Sequence, residues 1–406
     1  MKKRMCHSTS VPQVKRAPLD SYPIIIVGSG LFGLTIAQLV ASKLNKRVLI
    51  VEKRNHPGGN SWSETDPTTG IEFHTYGSHL FHTNNLRVWN FVNQFTEFTN
   101  YRHRVLAKHN DAFFNIPINL QTMSQFFGKA FSPNQARSYF EELPNKSEGL
   151  PRNFAEAAIS SIGLPLYAAF FESYTKKQWQ TDPRSLPAET LKRIPIRFTF
   201  NSDYFDDTYQ GLPKHGYSQL INRMLQNPHI DYLLNTDFFE FNRYDLQGKL
   251  IIYTGPIDRY YDYQHGVLGW RTLDFRREIV DVSDFQGNAV VNYPDLDVEF
   301  TRIHEFRHLH PERKYEPNKT LIMREYSRFA GKSDEPYYPI NTTEDRLKLK
   351  LYREKAKREK NVIFGGRLGS YQYLDMHMAI ASAFTTFENE VCPLLINLES
   401  LGDSHA

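Results

Sequence analysis

The residues of this chain best suited to do chemistry are three closely spaced glycines, a carboxylate at the end of an apolar run, and a segment crowded with histidines. Gly28, Gly30 and Gly33 occupy the pattern Gly-Ser-Gly-Leu-Phe-Gly just after Ile24 to Val27, a β-branched run of the kind buried on both faces of a parallel sheet. The first glycine allows a tight turn, the second lets bare backbone approach a pyrophosphate, and the third lets the next helix pack close to its strand. That helix, beginning near Leu31, aims its free amides at phosphate. Glu52 follows Val48 to Val51 at the interval where a carboxylate meets ribose hydroxyls and repels a 2′-phosphate. A glycine pattern alone is a weak signal; with strand, helix and acidic strand end in agreement it describes a dinucleotide cradle.

Beyond Glu52, the segment Lys53-Arg54-Asn55-His56-Pro57-Gly58-Gly59-Asn60 adds a glycine pair that lets backbone approach a second part of a long cofactor. The chain resembles FAD-dependent proteins in this, so FAD is expected rather than NAD. Phe73 to His82 holds three histidines and two phenylalanines. With no cysteine or carboxylate run beside them, metal ligation is set aside, and tuning of hydrogen bonds at a flavin ring is preferred. Phe170 to Trp179 has aromatics at helical spacing, which reads equally as a core stripe or, with its lysines, as a platform for a nucleobase. Arg193, Arg197 and Arg302, with Tyr204, Tyr337, Tyr338 and Tyr373, suit a diphosphate, although scattered arginines are as often surface residues.

Positioning such groups takes a large fold, and 406 residues suffice for more than one globular unit. The net charge of +4 is spread rather than blocked and gives little support for nucleic-acid binding. Two cysteines make no disulfide framework. No apolar run of about eighteen residues stands out, so no membrane span is expected. The start Met-Lys-Lys-Arg lacks the apolar core of a secretory signal, so a cytoplasmic enzyme is the default reading. Strand and glycine turn recur at Asn361 to Arg367, followed by a helical run from Met376 to Thr385 whose N-terminus is expected near the cofactor. Asn119 to Gln180 is mostly helix-forming, with breaks at Ser132-Pro133, Leu143-Pro144 and Gly163-Leu164-Pro165. Arg104 to Asn115 and Asp258 to Leu309 read as strands, and Lys348 to Lys360 as a solvated helix. The fold class is therefore α/β: a Rossmann-like FAD-binding domain with a small helical insertion and a second, largely antiparallel sheet domain.

Eight blocks in one order resemble bacterial UDP-galactopyranose mutase: residues 28–33, Pro-Gly-Gly-Asn (57–60), His-Thr-Tyr-Gly-Ser-His-Leu-Phe-His-Thr (74–83), Tyr-Thr-Lys-Lys-Gln-Trp (174–179), Leu-Pro-Lys-His-Gly-Tyr (212–217), Tyr-Thr-Gly-Pro-Ile-Asp (253–258), Glu-Pro-Tyr-Tyr-Pro-Ile (335–340) and Gly-Arg-Leu-Gly-Ser-Tyr-Gln-Tyr-Leu-Asp-Met (366–376). The resemblance implies interconversion of UDP-galactopyranose and UDP-galactofuranose by a homodimer whose FAD must be reduced by an external donor, with no net redox change. Reduced flavin N5 attacks the anomeric carbon as UDP departs, and a flavin–sugar iminium allows ring opening and reclosure. It also implies roles for residues. Arg193 resembles the arginine of a mobile loop, placed near Leu186 to Pro195, and Arg302 its partner on the sheet domain; with His82 they form the catalytic set. Tyr204, Tyr338 and Tyr373 resemble phosphate-binding tyrosines, Phe171 and Tyr174 a uridine platform, and Trp179 a residue of the sugar-nucleotide cleft. The cofactor set is Gly28, Gly30, Phe32, Gly33, Glu52, Lys53, Gly59, Asn60, His79, His82, Arg367, Asp375 and Met376.

The expected organisation is a disordered extension over 1–20, an FAD-binding domain in three parts (21–100, 211–257, 346–406), a sheet domain in two (101–118, 258–345), a helical domain over 119–185, and the mobile loop with its return over 186–210. Gly266 to Arg271 and Trp62 depart from the family pattern, which bears on fine specificity or local packing and leaves UDP-N-acetylgalactosamine as a possible additional substrate. The alternatives are a flavin amine oxidase or desaturase-like oxidoreductase, and a noncatalytic nucleotide-sugar sensor.

Overall fold

The computed structural model describes residues 17–143, 150–188 and 196–396. Arg193 and the rest of the stretch 189–195, where most of the mobile loop is expected, lie outside the described residues, as do residues 1–16 of the expected N-terminal extension.

Two sheets dominate. The first has five parallel strands in the order Val362–Phe364, Leu250–Tyr253, Ile24–Val27, Val48–Val51, Ile230–Leu233. Its three central strands bury every residue, which is why their sequences are continuous apolar runs rather than alternating ones. Helix Leu31–Lys43 starts directly after the glycine loop, and helix Met376–Thr386 packs against it. The chain thus leaves this sheet after Val51 and returns to it near residues 230, 250 and 362.

The second sheet has seven strands, in the order Tyr338–Pro339, Trp270–Val280, Thr320–Phe329, Arg302–Glu305, Val290–Asn292, Val105–His109, Ala112–Ile116. All its pairings are antiparallel except that of Val290–Asn292 with Val105–Ala107. Helices Leu120–Phe127, Pro133–Glu141 and Phe154–Tyr167 fill the region between its two stretches of chain. Ser132-Pro133 begins a helix there: Ser132 and Gln135 form a capping box, and Pro133 sits in the first turn, where its missing N–H costs nothing. At Gly163 (φ 78°) the next helix kinks, then runs through a wide π segment, Ala168–Glu172, into Ser173–Trp179. By length and composition Phe154–Trp179 is long and apolar enough to cross a membrane, which the sequence reading did not anticipate. Since 61% of its apolar window is buried within the protein, it reads as a core helix. The charged helix Thr343–Ala356 is solvated on one side only, for Leu349 and Tyr352 are buried.

Candidate functional site

A cavity of about 510 Å³ runs from the glycine loop, past the end of the parallel sheet, to the strand bearing Arg302. Its floor is shaped by absent side chains. A Cβ on Gly28 (φ +94°) would lie 2.2 Å from Thr254 Oγ1, and one on Gly33 would lie 2.4 Å from the Gly28 carbonyl oxygen. At Gly30 a Cβ would meet nothing, so this glycine faces open space. A Cβ on Gly59 (φ +59°) would lie 3.1 Å from the Gly30 Cα, so the second glycine pair packs onto the first. Glu52, buried at its strand end, accepts from Ser29 N (2.9 Å), Ser29 Oγ (2.6 Å) and Arg54 N (3.0 Å). Lys53 and Arg54 both pair with Glu335, at 3.0 and 2.6 Å, and Arg54 also donates to Asn60 Oδ1. Arg54 Nη1 is buried without a hydrogen-bond partner, a donor that a bound anion or carbonyl would satisfy. Phe32 lies so close to Gly365 that a Cβ there would meet its ring at 2.2 Å. Arg367, Asp375 and Met376 line the same wall, and Arg367 donates to the Tyr337 carbonyl.

Two of the three histidines reach the cavity. His79 Nδ1 is 2.7 Å from the Gly77 carbonyl and so carries the proton. Burial brings His79 down to about 4, so it is neutral with Nε2 free to accept. His82 donates from Nδ1 to Asp207 (2.7 Å) while stacking on Phe205 at 3.7 Å. His74 is scaffold: buried, it accepts the His79 backbone N–H and packs edge-on to Tyr217. His82, Asp375 and His377 offer ligand atoms within 4.8 Å of one another, a spacing compatible with an ion, but the first two belong to the cavity wall.

At the far end, Arg302 forms an ion pair with Glu325 (3.3 Å) and contacts the Tyr174 hydroxyl (2.5 Å). Burial alone would raise the Glu325 carboxyl, but Arg302 and His304 hold it below the ordinary carboxylate range. His304 bridges inward, 3.1 Å from Glu325 and 2.7 Å from Ser78 Oγ, the neighbour of His79. Tyr204, Tyr338 and Tyr373 line this end, the last two stacked at 5.9 Å. Burial pushes the Tyr174 and Tyr338 phenols up to about 12, so both remain hydroxyl donors. Phe171 is not brought to the wall: it lies in the hydrophobic core, and Trp179 packs against that core from its edge. Arg197 is likewise structural, buried against Asp206 at 2.6 Å. Trp62 is buried and stacked on His56 at 5.1 Å, whereas Trp270 lines the cavity.

Glu325, His304, Asp207 and Arg54 were not singled out from sequence. Only Glu325 left a signal, as a carboxylate in the alternating run Arg-Glu-Tyr-Ser-Arg, where Glu325 and Ser327 share the buried face.

A family model described as UDP-galactopyranose mutase matches residues 169–373, and one for an NAD(P)-binding Rossmann-like domain matches residues 26–95. The chain is 43% identical to a probable UDP-galactopyranose mutase of Klebsiella pneumoniae, covering 91% of this chain and 94% of the relative. It is 38% identical to a dTDP-fucopyranose mutase of Escherichia coli, covering 89% and 96%. Among solved structures, a reduced UDP-galactopyranose mutase superposes with a TM-score of 0.65 at 14% identity, covering 89% of this chain and 94% of that one.

Proposed function

The chain belongs to the UDP-galactopyranose mutase family, and from that premise we propose that it interconverts UDP-galactopyranose and UDP-galactofuranose with a reduced FAD held in the cavity. Open backbone at Gly30, the Glu52 carboxylate and the unpartnered Arg54 Nη1 all suit a long dinucleotide. When bound and reduced, the flavin supplies an electron-rich N5 nucleophile for the anomeric carbon.

The protein's own part is to hold the diphosphate and stabilise the charge that gathers there as the glycosidic bond breaks. Arg302 supplies a fixed positive charge. Burial works against it, yet Glu325 and the surrounding phenols hold its pKa well above the ordinary arginine value. Tyr204, Tyr338 and Tyr373 add hydroxyls, and Arg193 is the proposed second guanidinium. Tyr174, whose hydroxyl accepts from Arg302 although its ring is not among the cavity-lining residues, is the proposed platform for the uridine. Neutral His79 would accept a hydrogen bond from a bound flavin, and His82 is oriented by Asp207. The observation that carries the reading is Arg302, paired with buried Glu325 and ringed by tyrosines at the end of a glycine-floored cavity.

We place the enzyme in the cytoplasm as a homodimer served by an external reductant, and expect it neither to span a membrane nor to bind nucleic acid. The competing substrate is a 6-deoxy sugar on a thymidine carrier, as named for the Escherichia coli relative. Incubating the dithionite-reduced holoenzyme with UDP-galactofuranose and, separately, dTDP-fucofuranose, then resolving products by chromatography, decides between them. Pyranose formed faster from the uridine substrate supports the proposal; faster turnover of the thymidine substrate moves the chain to the other specificity.

A further inference from the structure

The helix Ser173–Trp179 carries Tyr174 and Trp179, and polar anchors fix it to the antiparallel sheet. Lys177 Nζ lies among four backbone carbonyls, those of Tyr293 (2.5 Å), Asp295 (2.6 Å), Val298 (3.2 Å) and Phe300 (3.2 Å). All four belong to the turn between strands Val290–Asn292 and Arg302–Glu305, so the ammonium occupies its centre much as a bound cation would. Ser327 Oγ donates to the Gln178 carbonyl (2.6 Å), and Arg271 Nη1 to Gln180 Oε1 (3.2 Å), securing the end of the helix.

Lys177 sits three residues after Tyr174, on the same helix face. Its turn ends at Phe300, two residues before Arg302, and Arg302 contacts the Tyr174 hydroxyl. One ammonium therefore ties down both the helix that presents Tyr174 and the chain that delivers Arg302.

We infer that Lys177 is a positioning residue for nucleotide binding: its amino group, held by the carbonyls of Tyr293, Asp295, Val298 and Phe300, keeps Tyr174 against Arg302, and replacing it with a side chain that cannot donate loosens the grip on the nucleoside diphosphate while leaving the flavin cradle intact. The inference rests on the UDP-sugar reading above. A protonated lysine has three N–H donors to share among the four carbonyls, whereas the neutral amine has two and no charge.

Burial lowers Lys177 to about 8. The groups facing it are Asp295 and Asp297 on the turn, His109 bonded to Asp295 at 2.6 Å, and Tyr293, with the Lys176–Glu172 pair on its own helix. Because the folded value is depressed, the native state binds fewer protons than the unfolded one between about 8 and the ordinary lysine value. In that window this group makes the fold more stable as pH rises.

The test is UDP binding to the flavin-loaded full chain at pH 7, with wild type, Lys177→Met and Lys177→Arg. Lys177→Met should bind UDP about tenfold more weakly than wild type, raising KM more than it lowers kcat, with flavin content unchanged. Lys177→Arg keeps charge and N–H donors and should bind UDP within about threefold of wild type, a readout that stands even if the methionine variant fails to fold. A Lys177→Arg protein that loses about tenfold or more in affinity, or wild-type affinity in a folded Lys177→Met, overturns the inference. Wild type that does not bind UDP at pH 7 rejects the substrate reading itself, and the inference with it.

Discussion

Arg302 and Glu325 set the electrostatics of the substrate end, and each depends on the other. Removing the guanidinium leaves a carboxylate only 3% exposed without its main counter-charge, a loss of about 3–5 kcal/mol by analogy with other broken buried pairs. Arg302→Ala should therefore lower both the melting temperature and turnover. Arg302→Lys should recover stability better than activity, because an ammonium replaces the charge but not the directional fork. Equal recovery of both, measured by calorimetry and initial rates, would reject the directional role. Arg193→Ala, as the second diphosphate guanidinium proposed above, should cut turnover sharply while leaving flavin content near wild type. Arg302 stood out in the sequence as one of three arginines suited to a diphosphate, and the resemblance alone set it apart from Arg197. Glu325 was harder to see, since alternation puts it on one face of its strand without saying which face is inside.

Among the elements, the glycine loop separates folding from binding. Gly33→Ala would drive a Cβ to 2.4 Å from the Gly28 carbonyl, and such overpacking costs about 1–3 kcal/mol. Gly30→Ala meets open space, so the apoprotein should melt as wild type does, yet the new methyl intrudes where a pyrophosphate lies against backbone. We expect lowered apoprotein stability from the first variant and lowered FAD content from the second. A Gly30→Ala protein that retains stoichiometric FAD would contradict the placement of the cofactor. Strand, loop and helix were all readable here because local spacing dictates them. The aromatic helix was not, since helical spacing leaves its rotation open. The π segment Ala168–Glu172 fixes that rotation, sending Phe171 into the core while Tyr174 faces Arg302.

For the molecule as a whole, the cavity lies between two sheets whose strands come from widely separated stretches of chain. That a second sheet exists was readable from its β-branched and aromatic runs. The parallel pairing of Val290–Asn292 with Val105–Ala107 was not, because pairing partners so far apart leave no local trace. The interior also stores a pH dependence. Burial holds His74 well below the ordinary histidine value, His79 at about 4 and His103 at about 3. As pH falls below about 6.5 the unfolded chain takes up protons that these native histidines refuse, so stability declines with falling pH. Glu325 adds to the loss at lower pH, as protons reach a carboxylate that Arg302 keeps ionised. The apoprotein melting temperature should therefore drop steadily from pH 6.5 to 4, and a flat profile would mean that the histidines are not held neutral.

The most direct test of the central claim counts turnovers per reducing equivalent. Holoenzyme reduced once under anaerobic conditions, with excess dithionite removed, is given a large excess of UDP-galactofuranose, and product is counted against flavin. A mutase with no net redox change should convert many substrate molecules per flavin, and the flavin should still be reduced at the end. One product per flavin accompanied by reoxidation, or conversion that proceeds equally with oxidised flavin, would contradict the account.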